Sequence, residues 1–296
     1  MQLLAVPNWS FGREKAVVRQ FKEILSHDLV TLHYCEADVD QNRTITAFSG
    51  DADVVVDMIM RLAFACFDTI DLNKHVGTHP RIGALDVCPL VLTTAEGQTK
   101  QSLLMNALAA AEDLAGMLAG TFDLPIFLYE KSERGRHEAN LPSLRKGGFG
   151  SLLDQELKPD FGPSRVHPRL GVTVLGVRDF LIAFNVNLET EDVAVVETIA
   201  RHARQLRSDG DPRFLGVRVL GLPVPSRKQV QLHFSLTLPN LTAPDPILEW
   251  VRESAESVEV RVADEDLVGV IRQIDLHNAT RLPMKPSQII DTDLAI

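Results

Sequence analysis

Apolar and polar positions follow two different periods in the first third of the chain, and these periods predict helices and strands. Apolar residues return every three or four positions over 14–25, which is typical of an amphipathic helix. Residues 43–48 instead alternate and are rich in Thr and Ile, which indicates a strand. The segment 52–67 is apolar on nearly every face, so it predicts a deeply buried helix.

The same patterns, followed to the end of the chain, predict an α/β protein. The first half contains predicted strands over 2–6, 29–36, 43–48, 84–90 and 124–129 and helices over 14–25, 52–67 and 100–118. The second half contains predicted strands over 171–177, 180–186, 215–220, 229–236, 258–262 and 267–271 and helices over 190–206 and 246–257. The order strand, helix, strand, strand, helix, strand occurs twice, which predicts two ferredoxin-like units with mixed sheets. We expect them to join near residue 180, with a ligand cleft between them.

Composition and charge exclude several classes of protein. The 296 residues are 24% charged and 45% hydrophobic, as in folded globular proteins rather than disordered ones. The net charge of −10 argues against nucleic acid as a partner, because phosphate backbones need a basic face. We find no apolar run near the length of a membrane span and no signal-peptide pattern at the N-terminus. Three widely spaced cysteines fit a reduced, cytoplasmic protein.

The segment 75–89 combines two histidines, an arginine and an aspartate with Gly and Pro. Pro80 lacks a backbone donor and biases His79 toward an extended conformation, so we expect a rigid loop that holds an imidazole. Such an imidazole suits proton transfer near neutral pH, and Arg81 would favour the neutral ring if it lies close. A structural turn with incidental histidines is the competing interpretation.

Two other motifs in the chain are weaker. His75 and His79 have the spacing of two metal ligands on a helix, but Gly77 and Pro80 disfavour a helix, and the HExxH glutamate is missing. Residues 147–150 are glycine-rich but lack the Lys-Ser/Thr of a phosphate loop. We therefore expect no bound metal.

Polar loops at predicted strand ends hold further candidates, because α/β proteins build binding sites there. Asp38 and Asp40 alternate around Val39, so both point the same way if the segment is extended. Ser10 suits either a ligand contact or a helix N-cap. Arginines recur in such loops, at Arg13, Arg43, Arg81, Arg134, Arg136, Arg145, Arg165 and Arg169. Residues 131–170 are polar and irregular, and a segment of that length is usually functional or a linker.

Ordered blocks along nearly the whole chain resemble the formiminotransferase family. Residues 6–13, VPNWSFGR, are similar to its VPNFSEGR opening, and residues 38–44 to its D-x-D-H-N-R-S/T segment. Residues 77–89, GTHPRIGALDVCP, resemble its GEHPRIGALDVCP motif. Residues 159–163 and 183–188 match later blocks. Any one block is weak evidence, but so many in register are specific.

The resemblance implies a glutamate formiminotransferase, which moves a formimino group from N-formimino-L-glutamate to N5 of tetrahydrofolate in histidine degradation. Tetrahydrofolate would be a co-substrate. The resemblance also implies an N-terminal subdomain over 1–180, a C-terminal subdomain over 181–296, a folate crevice between them and a homodimer. The cyclodeaminase domain that some relatives carry has no room in this chain.

The resemblance assigns roles to individual residues. The catalytic histidine of the family falls on His79, as general acid and base. Substrate and folate binding falls on Asn8, Ser10, Arg13, Asp38, Asp40, Asn42, Arg43, Arg81, Gly162, Pro163, Ser164, Arg165, Val166, His167, Pro168, Arg169, Leu170 and Gly171. A second folate segment falls on Pro212 to Gly221. Arginines suit this role because their fork-shaped side chains bind carboxylates well.

This sequence departs from the family pattern at four positions. Thr78 and Phe11 stand where the family has Glu, Gln41 where it has His, and Ser235 where it has Asn. Fewer carboxylates are then left for a cationic formimino group. A second hypothesis is therefore a divergent relative that binds folate but uses another one-carbon donor or has lost the chemistry. A third is a metal-dependent hydrolase built on the two histidines.

Overall fold

The computed structural model describes residues 1–94, 99–138 and 140–292, and the chain divides into two compact units between Asp179 and Phe180. The first unit contains β1 (Gln2–Ala5), β2 (Asn8–Trp9), α1 (Lys15–Leu25), β3 (Val30–Asp38), β4 (Arg43–Asp51), α2 (Ala52–Cys66), β5 (Leu85–Thr94), α3 (Lys100–Phe122), β6 (Ile126–Leu128), α4 (Leu141–Leu144) and β7 (Thr173–Val177). Helices and strands alternate, as the sequence predicted for an α/β protein.

A mixed seven-stranded sheet forms the centre of the first unit. The short strands β1 and β2 both pair antiparallel with β4 on one side and β5 on the other, and β3 pairs with β4. On the far side of β5 lie β7 and β6, both parallel. Trp9 in β2 is opposite Thr44 of β4 and Leu85 of β5. The turn at 38–43 and the loop before β5 therefore leave the sheet at the same end.

An aromatic cluster fixes the start of the chain under α1. Trp9, Phe11 and Phe21 are all buried, and both Trp9 and Phe11 pack edge-on against Phe21, at centroid distances of 5.2 and 5.0 Å. Edge-to-face pairs at this distance add to the stability gained from burial alone. The helix predicted over 14–25 is confirmed, with Val17, Phe21 and Leu25 as its buried face.

The buried face of α2 is broad, but the helix is not buried on all sides as predicted. Eight of its fifteen residues are buried. Phe64, however, is 62% exposed and contacts Phe122 of α3 at a centroid distance of 4.9 Å. A helix that covers one face of a sheet keeps an outer side, whatever its composition.

By length and mean hydropathy, α3 is long and apolar enough to cross a membrane, which the sequence reading missed. A helix that packs on a sheet in a folded protein meets the same criterion. Leu103, Ala107, Ala111, Leu114 and Leu118 of α3 are buried at helical spacing, and α3 contacts β5 and β7. Packing of one helical stripe against the sheet explains this burial.

The irregular segment after β6 is a packed cover rather than a linker. Leu141, Leu144, Phe149 and Leu152 pack against a buried cluster that includes Ile82, Val87, Phe127, Tyr129, Leu157, Val166, Val172 and Val174. Because Ile82 and Val87 flank the start of β5, this packing brings residues 141–152 against the loop that precedes the strand.

The second unit contains β8 (Ile182–Leu188), α5 (Val193–Ser208), β9 (Val217–Val224), β10 (Gln229–Leu236), α6 (Pro244–Glu256), β11 (Val262–Val268), β12 (Ile271–Arg272) and β13 (Ile289–Ile290). Its four-stranded sheet has the order β11-β8-β10-β9, with every pair antiparallel, and β12 pairs with β13. The predicted succession strand, helix, strand, strand, helix, strand is found. The two strands predicted over 258–262 and 267–271 were wrong in detail, because the acidic residues between them belong to β11.

Candidate active site

A cavity of about 490 Å³ opens in the first unit, beside the segment that the sequence singled out. Its wall consists of Leu72, Asn73, His75, Gly77, His79, Pro80, Arg81, Gly148, Phe149, Gly150 and Leu153. These residues come from the loop before β5 and from the glycine-rich segment that covers it. The wall contains two imidazoles and a guanidinium, but no carboxylate.

His79 has a defined tautomer, because both ring nitrogens have partners of known polarity. Its Nδ1 lies 2.8 Å from the carbonyl oxygen of Pro80, and its Nε2 lies 3.0 Å from Nη1 of Arg43. A carbonyl oxygen only accepts, so Nδ1 carries the proton and donates it. A guanidinium only donates, so Nε2 presents its lone pair. The ring is therefore neutral, and it is only 4% exposed at the cavity wall.

Arg43, the first residue of β4, supplies the cation that touches His79. It is buried, and burial together with Arg145 lowers its pKa to about 10, while Asp38 and Asp86 act in the opposite direction. Within the described ranges, no carboxylate lies at ion-pair distance from it, and its hydrogen bond goes to the imidazole. The sequence pointed to Arg81 as the neighbouring cation, and the structure places Arg43 there instead.

Arg81 braces the loop rather than facing the His79 ring. Its guanidinium donates to the carbonyl oxygens of Gln41, Asn42 and His79 and also contacts Nε2 of His75. Burial lowers its pKa to about 10. The pKa of His75 is lowered too, first by burial and then by Arg81. Arg81 thus ties the loop before β5 to the turn between β3 and β4.

Gly77 and Thr78 complete this junction. A Cβ on Gly77 would collide with the carbonyl oxygen of Gln41 and with the Arg81 guanidinium. The backbone N–H of Thr78 donates to the carbonyl oxygen of Asp40 at 3.0 Å. Thr78 Oγ1 and Nδ1 of His75 are buried without a hydrogen-bond partner. Two polar atoms beside the cavity are thus unsatisfied, which is uncommon in folded proteins.

Asp86 and Arg145 fasten the glycine-rich cover to the loop. The sequence did not predict that these two residues pair. Oδ1 of Asp86 accepts the backbone N–H of Ile82 at 2.7 Å, and its Oδ2 pairs with Arg145. The N–H of Phe149 donates to the carbonyl oxygen of Arg81 at 3.2 Å. The signal available was Asp86 itself, an acidic residue within an otherwise apolar strand.

Several other predicted residues hold backbone in place instead of lining the cavity. Asn42, at a left-handed φ of 47°, accepts from the N–H of Gly12 and donates to the carbonyl oxygen of Val76. Ser10 donates its hydroxyl to the carbonyl oxygen of Gly83. These contacts fix three loops relative to one another, which positions His79.

Asn8, Arg13, Asp38 and Asp40 likewise make local contacts. The side chain of Asn8 donates to the carbonyl oxygen of Val6, and Nε of Arg13 to that of Val39. Oδ1 of Asp38 accepts the N–H groups of Asp40 and Gln41, so the pair does not form a joint carboxylate site.

The predicted folate segment over 162–171 lies next to the cavity wall without forming it. Gly162 has a φ of 84°, and a Cβ there would meet the backbone of Leu124. Nδ1 of His167 accepts from Leu170 at 2.9 Å, and the carbonyl oxygen of Pro168 accepts from Asn73, a wall residue, at 2.8 Å. None of Gly162, Pro163, Ser164, Arg165, Val166, His167, Pro168, Arg169, Leu170 and Gly171 is in the wall.

The four departures from the family pattern lie in different places. Thr78 adjoins His79, and Gln41 is buried in the turn that Arg81 holds. Phe11 belongs to the aromatic core under α1. Ser235 lies on β10 of the second unit, opposite Ala183 and Arg218. Two of the four are thus close to the histidine loop.

In the parts of the chain that the structure describes, no group of three His, Cys, Asp or Glu side chains is placed to hold a metal ion. The two other loop arginines named from the sequence lie elsewhere: Arg134 pairs with Glu112, and Arg136 is exposed.

One polar cluster in the second unit was missed. Along β8 and β10, Asn187 accepts from Gln231 at 2.9 Å, and Asn185 contacts His233 at 2.8 Å. The same two asparagines donate to Asp264 and Asp266 of β11. The alternation of Asn185 and Asn187 within an apolar strand was the available signal.

Comparison with known proteins identifies the class. Residues 2–178 match the formiminotransferase domain, N-terminal subdomain. Formimidoyltransferase-cyclodeaminase of Mus musculus is 32% identical over 90% of this chain, which spans only 49% of that protein. Glutamate formimidoyltransferase of Thermoplasma acidophilum is 30% identical over 90% of this chain and 86% of its own length. The corresponding values for the Streptococcus pyogenes serotype M1 protein of the same name are 29%, 90% and 87%.

This chain belongs to the formiminotransferase family. It spans about half the length of the formimidoyltransferase-cyclodeaminases that it matches, and most of the length of the two glutamate formimidoyltransferases.

Proposed function

We propose that this protein is a glutamate formiminotransferase, a one-carbon transferase that moves the formimino group of N-formimino-L-glutamate to N5 of tetrahydrofolate. One observation carries the proposal. His79, in the motif shared with the family, is a buried neutral imidazole at a cavity wall, and its Nε2 carries the lone pair that a proton transfer would use. The relatives named glutamate formimidoyltransferase support the choice of donor.

The reaction needs one group that takes up a proton and later returns it. N5 of the folate attacks the amidine carbon, a new C–N bond forms, and the N5 proton goes to Nε2 of His79. The tetrahedral intermediate then loses glutamate: the old C–N bond breaks, and its nitrogen receives the proton from Nε2. The hydrogen bond from Nδ1 to Pro80 stabilises the imidazolium that exists between the two steps. No electrons are gained or lost overall.

Loss of the imidazole is the direct test. The His79→Ala variant should lose about 10²–10⁴-fold in kcat, because that is the usual contribution of a positioned acid-base group. Turnover of formiminoglutamate with tetrahydrofolate measures it. His27→Ala, which removes an exposed imidazole at the end of α1, is the matched control and should keep full activity. Equal rates for wild type and His79→Ala would remove His79 from the mechanism.

A second candidate is transfer from a neutral one-carbon donor such as a formyl amino acid. The observation in its favour is the cavity wall, which presents cationic and imidazole groups and no carboxylate. An amidine is a cation at neutral pH and would have no counter-charge in that wall, whereas a formamide is neutral. A comparison of kcat/KM for N-formimino- and N-formyl-glutamate separates the two donors. A preference for the formyl compound would favour this candidate.

The remaining expectations are part of the same proposal. We expect tetrahydrofolate to act as a co-substrate and to contact the segment 162–171 next to the wall. Residues 181–296 would form the C-terminal subdomain, the protein would be a cytoplasmic homodimer, and its partners would be small molecules. Calorimetry with folate tests the binding of the co-substrate, and sedimentation of the purified protein tests the dimer.

A further inference from the structure

Three arginines converge on the histidine loop, and the nearby carboxylates do not neutralise all of them. Arg145 pairs with Asp86, and Arg81 donates to backbone carbonyls. Arg43 is 7% exposed, and in the described ranges it has no ion pair. A buried cation without a counter-ion is costly, and proteins keep such groups mainly where function requires them.

The other charged groups around Arg43 do not compete for it. Asp38 directs Oδ1 to two backbone N–H groups of the turn, and Asp86 is held by Arg145 and by the N–H of Ile82. The guanidinium is therefore left with the neutral imidazole of His79. A single N–H bond to a neutral acceptor is a weaker partner for a buried cation than a carboxylate, which carries the opposite charge and accepts two parallel N–H bonds.

The Arg43 contact also covers the atom that the proposed reaction uses. Because Nδ1 donates to Pro80, the only lone pair of the His79 ring is on Nε2. That lone pair receives an N–H of Arg43 at 3.0 Å. A proton from N5 of the folate cannot enter while the guanidinium stays there.

We propose that Arg43 binds a carboxylate of the amino-acid donor and thereby moves off His79, which exposes the Nε2 lone pair. The inference rests on the proposed function and adds to it the group that recognises the donor. A carboxylate accepts two parallel N–H bonds from a guanidinium, so it is a stronger partner than the imidazole. The guanidinium stays protonated throughout, and only the N5 proton moves to and from Nε2.

The donor is a better source of this carboxylate than the folate. In a formimino amino acid, the α-carboxylate is attached to the carbon next to the nitrogen that leaves, so it lies close to the reacting atoms. The carboxylates of a folate lie beyond the benzoyl group, far from N5. A group that touches His79 therefore reaches the donor's carboxylate first.

Nitrogen NMR of the wild-type protein labelled with ¹⁵N-histidine tests the movement directly. The His79 Nε2 signal, assigned by its loss in His79→Gln, should shift toward that of a nitrogen without an N–H donor when L-glutamate is added. The dimethyl ester of L-glutamate, which has the same skeleton and no carboxylate, should leave the signal in place. An unchanged signal at every glutamate concentration overturns the proposal, and so does a shift produced by folic acid but not by glutamate.

Kinetics test the role in recognition. Arg43→Gln, which keeps an N–H donor but loses the fork, should raise KM for the donor by about 10–100-fold and leave KM for tetrahydrofolate within about twofold. Arg43→Lys should fall between wild type and Arg43→Gln. The matched control is Arg61→Gln, which removes an exposed arginine of α2 paired with Asp57. Equal changes in both KM values, or none, would contradict the proposal, and Arg43→Lys decides if Arg43→Gln does not fold.

The two levels of the proposal fail in different ways. If the wild type transfers no formimino group but glutamate still shifts the Nε2 signal, the proposed function is wrong and the carboxylate site stands. If the wild type is active and the Arg43 variants keep the wild-type donor KM, the function stands and the inference is wrong.

Discussion

Two buried arginines, one in each unit, have opposite surroundings. Arg272 in the second unit is 1% exposed and is fully partnered: Nε and Nη2 donate to the two oxygens of Asp275 at 2.7 and 2.8 Å, and Nη2 also donates to Asn240 at 2.7 Å. Its guanidinium lies 5.2 Å from the ring centroid of Phe180. Among the residues that the structure describes, Arg43 in the first unit has no such carboxylate, and its side-chain hydrogen bond goes to the imidazole of His79.

On our proposal for Arg43, the difference separates a structural cation from a functional one. A buried pair with good geometry holds its own segment in place, and neither partner has reason to leave. A buried cation with a weak neutral partner keeps a large unsatisfied preference for an anion. The comparison therefore predicts that removal of the two arginines will have opposite consequences for stability and for activity.

The largest expected effect is on the second unit. Arg272→Met should lower the free energy of unfolding by about 3–5 kcal/mol, because it leaves the buried Asp275 carboxylate without its counter-ion. Chemical denaturation followed by circular dichroism measures this. A loss below about 1 kcal/mol would mean that the ion pair is not the stabilising contact.

A smaller effect is expected in the first unit. Arg43→Met should change the free energy of unfolding by less than about 1 kcal/mol, because the lost hydrogen bond to His79 is offset by removal of an unpaired buried charge. The same denaturation experiment measures it, with Arg272→Met as the contrast. Destabilisation equal to that of Arg272→Met would break the distinction between the two arginines.

The smallest expected effect is on the pH dependence of stability. It reflects the excess of positive charge around the cavity. The pKa of His75 is lowered by burial and by Arg81, so the folded protein resists a proton that the unfolded chain accepts below about 6.5. The unfolded state then binds more protons, and stability falls as the pH drops from that value to the lower pKa of the folded state. Above about pH 6.5 the stability does not depend on His75.

In His75→Asn this part of the acid-induced loss should be absent. Unfolding measured at a series of pH values between 4 and 8 in wild type and variant would show it as a shallower slope on the acid side. His167, whose pKa is lowered in the same direction by burial and Arg169, keeps contributing in both proteins and serves as an internal reference. Parallel slopes in the two proteins would contradict the assignment.

The sequence was sufficient where the determining interactions are local. The Gly and Pro residues of the loop before β5 specify an irregular segment, and the alternation over 43–48 specifies β4, so both were predicted correctly. The class of fold followed from the order of such elements. Where a helix covers one side of a sheet, as α2 does, apolar composition alone overestimates burial, which is why Phe64 was misjudged.

The partners within the site depend on contacts that sequence spacing does not reveal. Arg43 and His79 are 36 residues apart, and the pairing of β1 and β2 with both β4 and β5 brings them together. Arg145 reaches Asp86 across 59 residues because the cover packs apolar side chains on the start of β5. Phe11 stands where the family has a carboxylate, but its side chain lies in the aromatic core under α1.

The missing side chain at Gly77 has a consequence for anyone who would redesign these loops. The loop that carries the histidine and the turn over 38–43 touch backbone to backbone there, with no room for even a methyl group. The two segments are not independent of each other, because any side chain at position 77 would clash with the backbone of Gln41. An exchange of either loop is therefore tolerated only if glycine is kept at position 77.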